Sequence, residues 1–306
     1  MFQTVFTQVV ILFILIFIGF ILNKTKILDE KSTKGITDIV LYLATPATII
    51  KSFIRDFSPS LLKNLSVGFI AGVVAHIIFI ALSLVLLRSR DASRQKVLQF
   101  SVIFSNCGYM SIPLLQAVLG DDGVFYGATY IAVFQIVIWS YGLFLMGDGV
   151  KSITPKKVIF SPGIIGFSIA FIIFVTQIPI PSIIREPINY MASLNTPLPM
   201  IVIGYHLANS NILNGLKDIR VLFAIIIKLC LFPVIAVFGF RLFGITGTMP
   251  LAITTCISAP TAALCTMFAS KFERDTSLSV TLVSLSTLLS VISMPLIASL
   301  AEKFLN

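Results

Sequence analysis

The stretch Phe104-Ser105-Asn106-Cys107-Gly108-Tyr109-Met110-Ser111-Ile112-Pro113 sits inside an apolar run from roughly 97 to 119. A helix of about 20 apolar residues spans ~30 Å of hydrocarbon. This run is a poor helix. Gly108 and Pro113 are weak helix formers, and Pro113 has no N–H for the carbonyl four residues back. Ser105, Asn106 and Ser111 carry side chains that compete for backbone hydrogen bonds. In lipid such an interruption survives only where protein or a water-filled cavity satisfies the freed groups. A second interruption lies far downstream, at Cys256-Ile257-Ser258-Ala259-Pro260-Thr261. Two interrupted spans at corresponding positions in two halves of a chain mark the substrate site of a carrier.

Working outward, composition agrees. The 306 residues are 57% hydrophobic and 11% charged, against about 25% charged in a soluble domain. Mean hydropathy is +1.01. The chain reads as an all-α polytopic membrane protein with no soluble domain between its spans. A net charge of +9 would suggest nucleic acid as the partner of a soluble chain. Here the basic residues lie in loops and set orientation, so the lipid bilayer is the expected partner and no nucleic acid is. Residues 1–8 hold no Lys or Arg, and Lys24 and Lys26 follow the first apolar run, which favours an uncleaved first helix over a signal peptide. Cys107, Cys230, Cys256 and Cys265 lie in apolar runs, with no CxxC pair and no His at ligand spacing. They read as small core residues, and no metal or cofactor is expected.

The apolar runs read as ten spans, roughly 4–22, 35–53, 61–87, 96–119, 123–147, 158–177, 182–208, 218–243, 247–270 and 276–302. A connector at 148–157 divides five from five, giving halves 1–147 and 158–306. Fifteen Lys and Arg fall in connectors after odd-numbered spans and six on the other side. The richer side is cytoplasmic, which puts both termini outside the cell membrane. Five is an odd number, so a duplicated five-span unit inserts its second copy upside down. Pro46 and Pro197 are 151 residues apart, and Pro113 and Pro260 are 147 apart. These offsets point to inverted repeats with spans 4 and 9 broken.

All 13 Asp and Glu residues fall in connectors or at helix ends. Carriers driven by Na+ or protons commonly bury Asp, Glu or His for the coupling ion. A carboxylate-based coupling site is therefore not expected, while a Na+ site of carbonyls and hydroxyls at the breaks stays open. Two ionisable residues lie within spans, His76 and Lys228. Lys228 is eight residues past Arg220, about 12 Å along a helix. It reads either as a cation attracting an anionic substrate or as a lysine whose stem reaches back to the inner interface. His76 reads first as a hydrogen-bonded packing residue and second as a group that makes transport pH-dependent.

A broken helix exposes free N–H groups and the positive end of a dipole. Two such ends meeting near mid-membrane would cradle a carboxylate, with Ser105, Asn106, Ser258 and Thr261 adding side-chain donors. Gln135 is an amide in an apolar span and needs a partner, either substrate or protein. Asn195 and Thr196 are placed to cap the second half of span 7, with Pro197 in its first turn, and read as structural first and substrate-facing second. Trp139 and Tyr141 read as interfacial anchors. There is no GxxxxGK[ST], no HExxH and no buried carboxylate pair, so an enzyme is not expected.

Phe104 to Leu115 lies close to the pattern Asn-x-x-x-Met-Gly-Ile-Pro-Leu, and on it the chain resembles the auxin efflux carrier family. The segments from Gln135 to Trp139, Leu198 to Gly204 and Ser284 to Pro295 extend the resemblance over the whole length. The short central connector is similar to the prokaryotic branch. The resemblance implies ten transmembrane helices in two inverted five-helix repeats, with helices 4 and 9 broken and crossing at Pro113 and Pro260, Gly108 beside them. It implies a scaffold domain (helices 1, 2, 6, 7) and a transport domain (helices 3–5, 8–10) that moves like an elevator. Family members carry small organic anions, among them indole-3-acetate and dicarboxylates such as malate or malonate. Asn106 matches the family's substrate-contacting asparagine. Ser111 stands where many members have Gly, and span 9 departs in detail. The expected function is secondary transport of a small organic anion by alternating access. Na+-coupled symport of similar architecture is the alternative within transport. A non-transporting receptor is the alternative outside it, although the short connectors leave its partner little to grip. A homodimer through the scaffold helices stays open.

Overall fold

The structure, a computed structural model, describes residues 2–147, 149–153, 156, 159–209 and 215–306. The connector read at 148–157 lies partly outside the described residues. Among these the chain is helical, and the β contact is an isolated bridge between Ser105 and Thr261. In chain order the helices are α1 (Phe2–Lys24), α2 (Glu30–Phe53), α3 (Pro59–Leu86), α4 (Ala92–Ile103), α5 (Cys107–Met146) and α6 (Pro162–Thr176). They continue as α7 (Ser182–Ser193), α8 (Pro197–Ala208), α9 (Ile219–Leu242), α10 (Thr248–Ser258), α11 (Leu264–Lys271) and α12 (Thr276–Leu305). Six of them (α1, α2, α3, α5, α9 and α12) are long and apolar enough to cross a membrane, and α6 and α10 are shorter apolar helices.

Four of the 13 acidic residues in the chain serve at helix starts. The carboxylates of Asp29, Asp91, Asp218 and Asp275 accept the N–H of Ser32 (2.7 Å), Arg94 (3.2 Å), Arg220 (3.0 Å) and Leu278 (2.9 Å), capping α2, α4, α9 and α12. Such caps satisfy donors that have no intrahelical partner.

α5 holds 40 residues, ~60 Å if straight and about twice the hydrocarbon thickness. It is a hairpin. Gly120 has φ +64° and ψ −155°, a conformation that glycine adopts without penalty. A Cβ on Gly127 would stand 2.5 Å from the Leu115 side chain, whereas twelve residues along one helix cover ~18 Å. The chain doubles back at Gly120, in the gap read between spans 4 and 5.

Three prolines share one device. Wide π turns run over Val40–Ala44, Cys107–Ser111 and Ile227–Leu231, each ending two residues before Pro46, Pro113 or Pro233. A proline removes the bond to the carbonyl four residues back and its ring clashes there; a π turn relieves both. This corrects the sequence reading of the first break. Pro113 and Gly108 do not interrupt the helix, because the π turn absorbs them. The non-helical residues are Phe104, Ser105 and Asn106. Pro260, in contrast, does lie in the non-helical segment after α10.

Backbones touch between α1 and α8. A Cβ on Gly204 would overlap the Ile16 carbonyl and lie 2.7 Å from the Phe20 nitrogen, and one on Gly19 would lie 2.7 Å from the Ile201 Cα. Small residues permit this approach, which supplies dispersion contacts where lipid gives no hydrophobic drive. α6 lies on α2 in the same manner, Gly166 against Pro46. The larger apolar core surrounds the break with Phe100, Phe104, Phe125, Tyr130, Phe232 and Phe268. A smaller one joins α1 and α8 to Met110, Leu114, Ala259 and Met294. Ion pairs tie the ends: Arg55 to Asp122 (2.5 Å), and Arg94 to Asp218.

Two outcomes follow. Gly204→Ala should melt well below wild type in detergent, by the ~1–3 kcal/mol typical of overpacking. Gly239→Ala, with nothing within 4 Å, should melt at or slightly above it; equal melting of the two variants would refute the backbone contact. Partial burial works to raise the Asp218 pKa, but the Arg94 guanidinium and the N–H groups of Arg220 and Val221 outweigh it and hold the carboxyl below 3.8. Its contribution to stability is complete above that ordinary value and is lost as pH falls through the lower folded value. Asp218→Asn should therefore flatten the acid limb of the Tm profile below about pH 4, and an unchanged slope would show that the ion pair contributes nothing.

Candidate functional site

The breaks after α4 and α10 lie against each other, and each satisfies the backbone of the other. The Asn106 N–H donates to the Pro260 carbonyl (2.7 Å) and the Ala262 N–H to the Phe104 carbonyl (2.9 Å). Side chains then take up the free carbonyls that end each helix. Ser105 Oγ donates to the Ile257 carbonyl of α10 (3.2 Å), and Thr261 Oγ1 donates to the Ser101 carbonyl of α4 (3.0 Å). Ser111 Oγ donates to the Thr255 carbonyl (3.3 Å), as does Ser258 Oγ (2.9 Å). α12 joins in, with Ser286 Oγ accepting the Thr261 N–H at 3.1 Å.

Lys228 arrives from the π turn of α9 and is 1% exposed. Its Nζ donates to Ser105 Oγ and, at 3.4 Å, to the Ile257 carbonyl. The stem does not return to the interface, so that sequence reading is corrected. The ammonium is drawn instead to helix-end carbonyls, the nearest concentration of negative partial charge. Among the described residues no carboxylate pairs with it.

The predicted donors now separate. Ser105, Ser258 and Thr261 meet at the crossing with Asn106 and Lys228, but their hydroxyls are committed to carbonyls. Asn106 differs. It is buried, and its Nδ2 has no hydrogen-bond partner in the structure. It immediately precedes the first turn of α5, whose leading N–H groups have no intrahelical acceptor. Gly108, two residues on, is half-buried with nothing within 4 Å of where a Cβ would stand. An unpaired amide donor, free N–H groups and open space thus coincide.

Gln135 lies elsewhere. Its Oε1 accepts from Trp139 Nε1 (3.0 Å), and its side chain packs on Gly163 of α6. Trp139 is therefore turned inward, edge-on to Phe268 with centroids 5.4 Å apart, and is not the interfacial anchor its position suggested. His76 places Nδ1 2.8 Å from the Gly72 carbonyl and stacks on Tyr130 at 5.1 Å. A carbonyl only accepts, so Nδ1 carries the proton, as the packing reading requires. Thr196 is the N-cap residue of α8 with Pro197 following, yet no side chain caps it. Asn195 Oδ1 accepts from Thr45 Oγ1 instead (2.8 Å), which ties α2 to the α7–α8 joint and leaves Asn195 Nδ2 buried without a partner. The sequence singles out Asn195 as a cap but does not foretell its Thr45 partner; the one signal for it is the Thr-Pro that both Thr45 and Thr196 begin. A groove of about 310 Å³ between α3 and α9, walled by Ala75, Phe79, Ala236, Phe240 and Ile257, is apolar and offers an anion nothing.

The family model described as membrane transport protein matches residues 4–298. An uncharacterized transporter of Methanocaldococcus jannaschii is 25% identical over 93% of this chain and 94% of its own length. One of Methanothermobacter thermautotrophicus is 23% identical over 92% and 94%.

The crossing makes a stability prediction that sets its pins apart from its free donor. Thr261→Val keeps the shape but strips the Ser101 carbonyl of its partner, at a cost of about 1–3 kcal/mol. Asn106→Ala removes a side chain whose Nδ2 makes no bond, breaks no hydrogen bond and should destabilise less than Thr261→Val. Thermal melts of both purified variants decide, and the reverse order would mean that the pins are misassigned.

Proposed function

The chain belongs to the membrane transport protein family, the auxin efflux carriers its sequence resembles, and we propose that it is a secondary carrier of a small organic anion. The observation that carries this is Asn106: a buried amide donor without a partner, placed where the first turn of α5 presents free N–H groups. A substrate carboxylate takes hydrogen bonds from Asn106 and from the starts of α5 and α11, whose dipoles favour negative charge there.

The proposed architecture is ten spans in two inverted repeats, with α4–α5 and α10–α11 as the broken, crossing pair. Reciprocal contacts support it. Gly19 of α1 meets Ile201 of α8, while Gly166 of α6 meets Pro46 of α2. Gly19 and Gly166 are 147 residues apart, the separation of Pro113 and Pro260. Ser105 and Thr261 each pin the helix end opposite. In this reading α1, α2, α6, α7 and α8 form the scaffold. The rest moves against it as an elevator, carrying the substrate between two faces of the membrane with both termini outside.

A thermal-shift screen of the purified protein tests the assignment, using indole-3-acetate, malonate, malate and short monocarboxylates, the acids the family resemblance suggests. A ligand at a hundredfold excess over its Kd adds about 2.7 kcal/mol of stability. One acid should raise the Tm of wild type and fail to raise that of Asn106→Ala. A shift of equal size in both proteins would remove Asn106 from the site.

A further inference from the structure

Lys228 is the charged group that anion binding at the helix starts leaves unused. It stands at the crossing, hydrogen-bonded on the side of the helix ends, with Cys107 at the start of α5 and His76 as neighbours. α4 ends at Ile103 and α10 at Ser258, and both ends converge on Ser105. Each helix C-terminus carries about −0.5 of an elementary charge, so two of them offset one ammonium without any carboxylate. The acceptors around Nζ are neutral oxygens, the Ser105 hydroxyl and the Ile257 carbonyl. Ser105 also donates to the same carbonyl at 3.2 Å, so Nζ and the two oxygens close a triangle of contacts. Hydroxyls, unwound carbonyls and half-helix C-termini are the groups with which secondary carriers hold their coupling cation.

We infer that the Lys228 ammonium is a tethered cation, seated between the C-terminal ends of α4 and α10 where a carrier of this build would hold a free monovalent cation, so that the protein binds no Na+ there. The inference rests on the carrier reading but is tested without any substrate. The π turn that contains Lys228 swings the side chain onto the crossing; π turns recur at functional sites. Burying an ammonium is costly unless its hydrogen bonds are met, and here the break supplies them.

Thermal melts of the full-length protein, purified in detergent, would compare choline, potassium, sodium and lithium chloride at equal ionic strength. Wild type should melt at the same temperature in all four. Lys228→Ala should melt lower in choline and regain stability saturably in sodium or lithium, because truncation exposes the Ser105 and Ile257 oxygens to a small cation. Lys228→Met, which refills the space without charge, should melt low in every salt. A sodium-specific rise in wild type overturns the inference. So does a folded Lys228→Ala protein that responds to all four salts alike, since a lysine that merely braces the break predicts that pattern. Should Lys228→Ala not purify, the sodium arm on wild type still decides. Loss of carboxylate binding in Asn106→Ala is read in a separate experiment, so either proposal can fail alone.

Discussion

In hydrocarbon a backbone N–H or C=O without a partner costs several kcal/mol, and this chain breaks two helices inside its apolar core. The rest of the structure depends on how that cost is met. Asn106 bonds to Pro260 and Ala262 to Phe104, so neither break can exist without the other. The serines and threonines that look like substrate ligands in the sequence are mostly holding this junction closed. Hydroxyls bonded to carbonyls at both helix ends convert two weak points into one rigid crossing, wrapped by Phe100, Phe104, Phe232 and Phe268.

A crossing of two interrupted helices also sorts charge. The ends of α4 and α10 present carbonyls, and the starts of α5 and α11 present N–H groups. One region is therefore negative and the other positive, with little cost to keep them so, because the dipoles are fixed by the fold. Lys228 has settled on the negative region and Asn106 stands at the positive one. A carrier for an anion needs that pairing. In the proposed reading, substrate charge would be met by preorganised donors, while the opposite field is quenched by the Lys228 side chain. Four of the acidic side chains, Asp29, Asp91, Asp218 and Asp275, serve instead at the caps of α2, α4, α9 and α12.

Much of this was legible in the sequence, and the limits have physical reasons. That both runs break could be read from Gly, Pro, Ser and Asn inside apolar stretches. Where the first one breaks could not, because a π turn before Pro113 absorbs a defect that normally ends a helix. The burial of Lys228 was legible from its distance to Arg220. Its destination was not, since that required knowing which helix ends would meet beside it. Gln135 was rightly read as needing a partner, and Trp139, one turn on, supplies it. The α1–α8 contact left no trace, because Gly19 and Gly204 look like any glycines in lipid helices until the backbones are seen to touch.

Those glycine contacts bear on how the proposed motion could occur. α1 and α8 meet backbone to backbone, and α6 meets α2 through Gly166 and Pro46. Such surfaces interlock and resist sliding, which suits them to a fixed frame. The crossing meets that frame differently. Met110, Leu114, Ala259 and Met294 face Ile16, Met200 and Ile203 in one small apolar cluster. Methionine is unbranched and adapts its shape to changing neighbours. Contacts of this kind lose little when one body shifts past another, because dispersion is spread over many weak pairs. Rigidity inside the crossing, interlock inside the frame and a soft seam between them are the mechanical properties that an elevator requires.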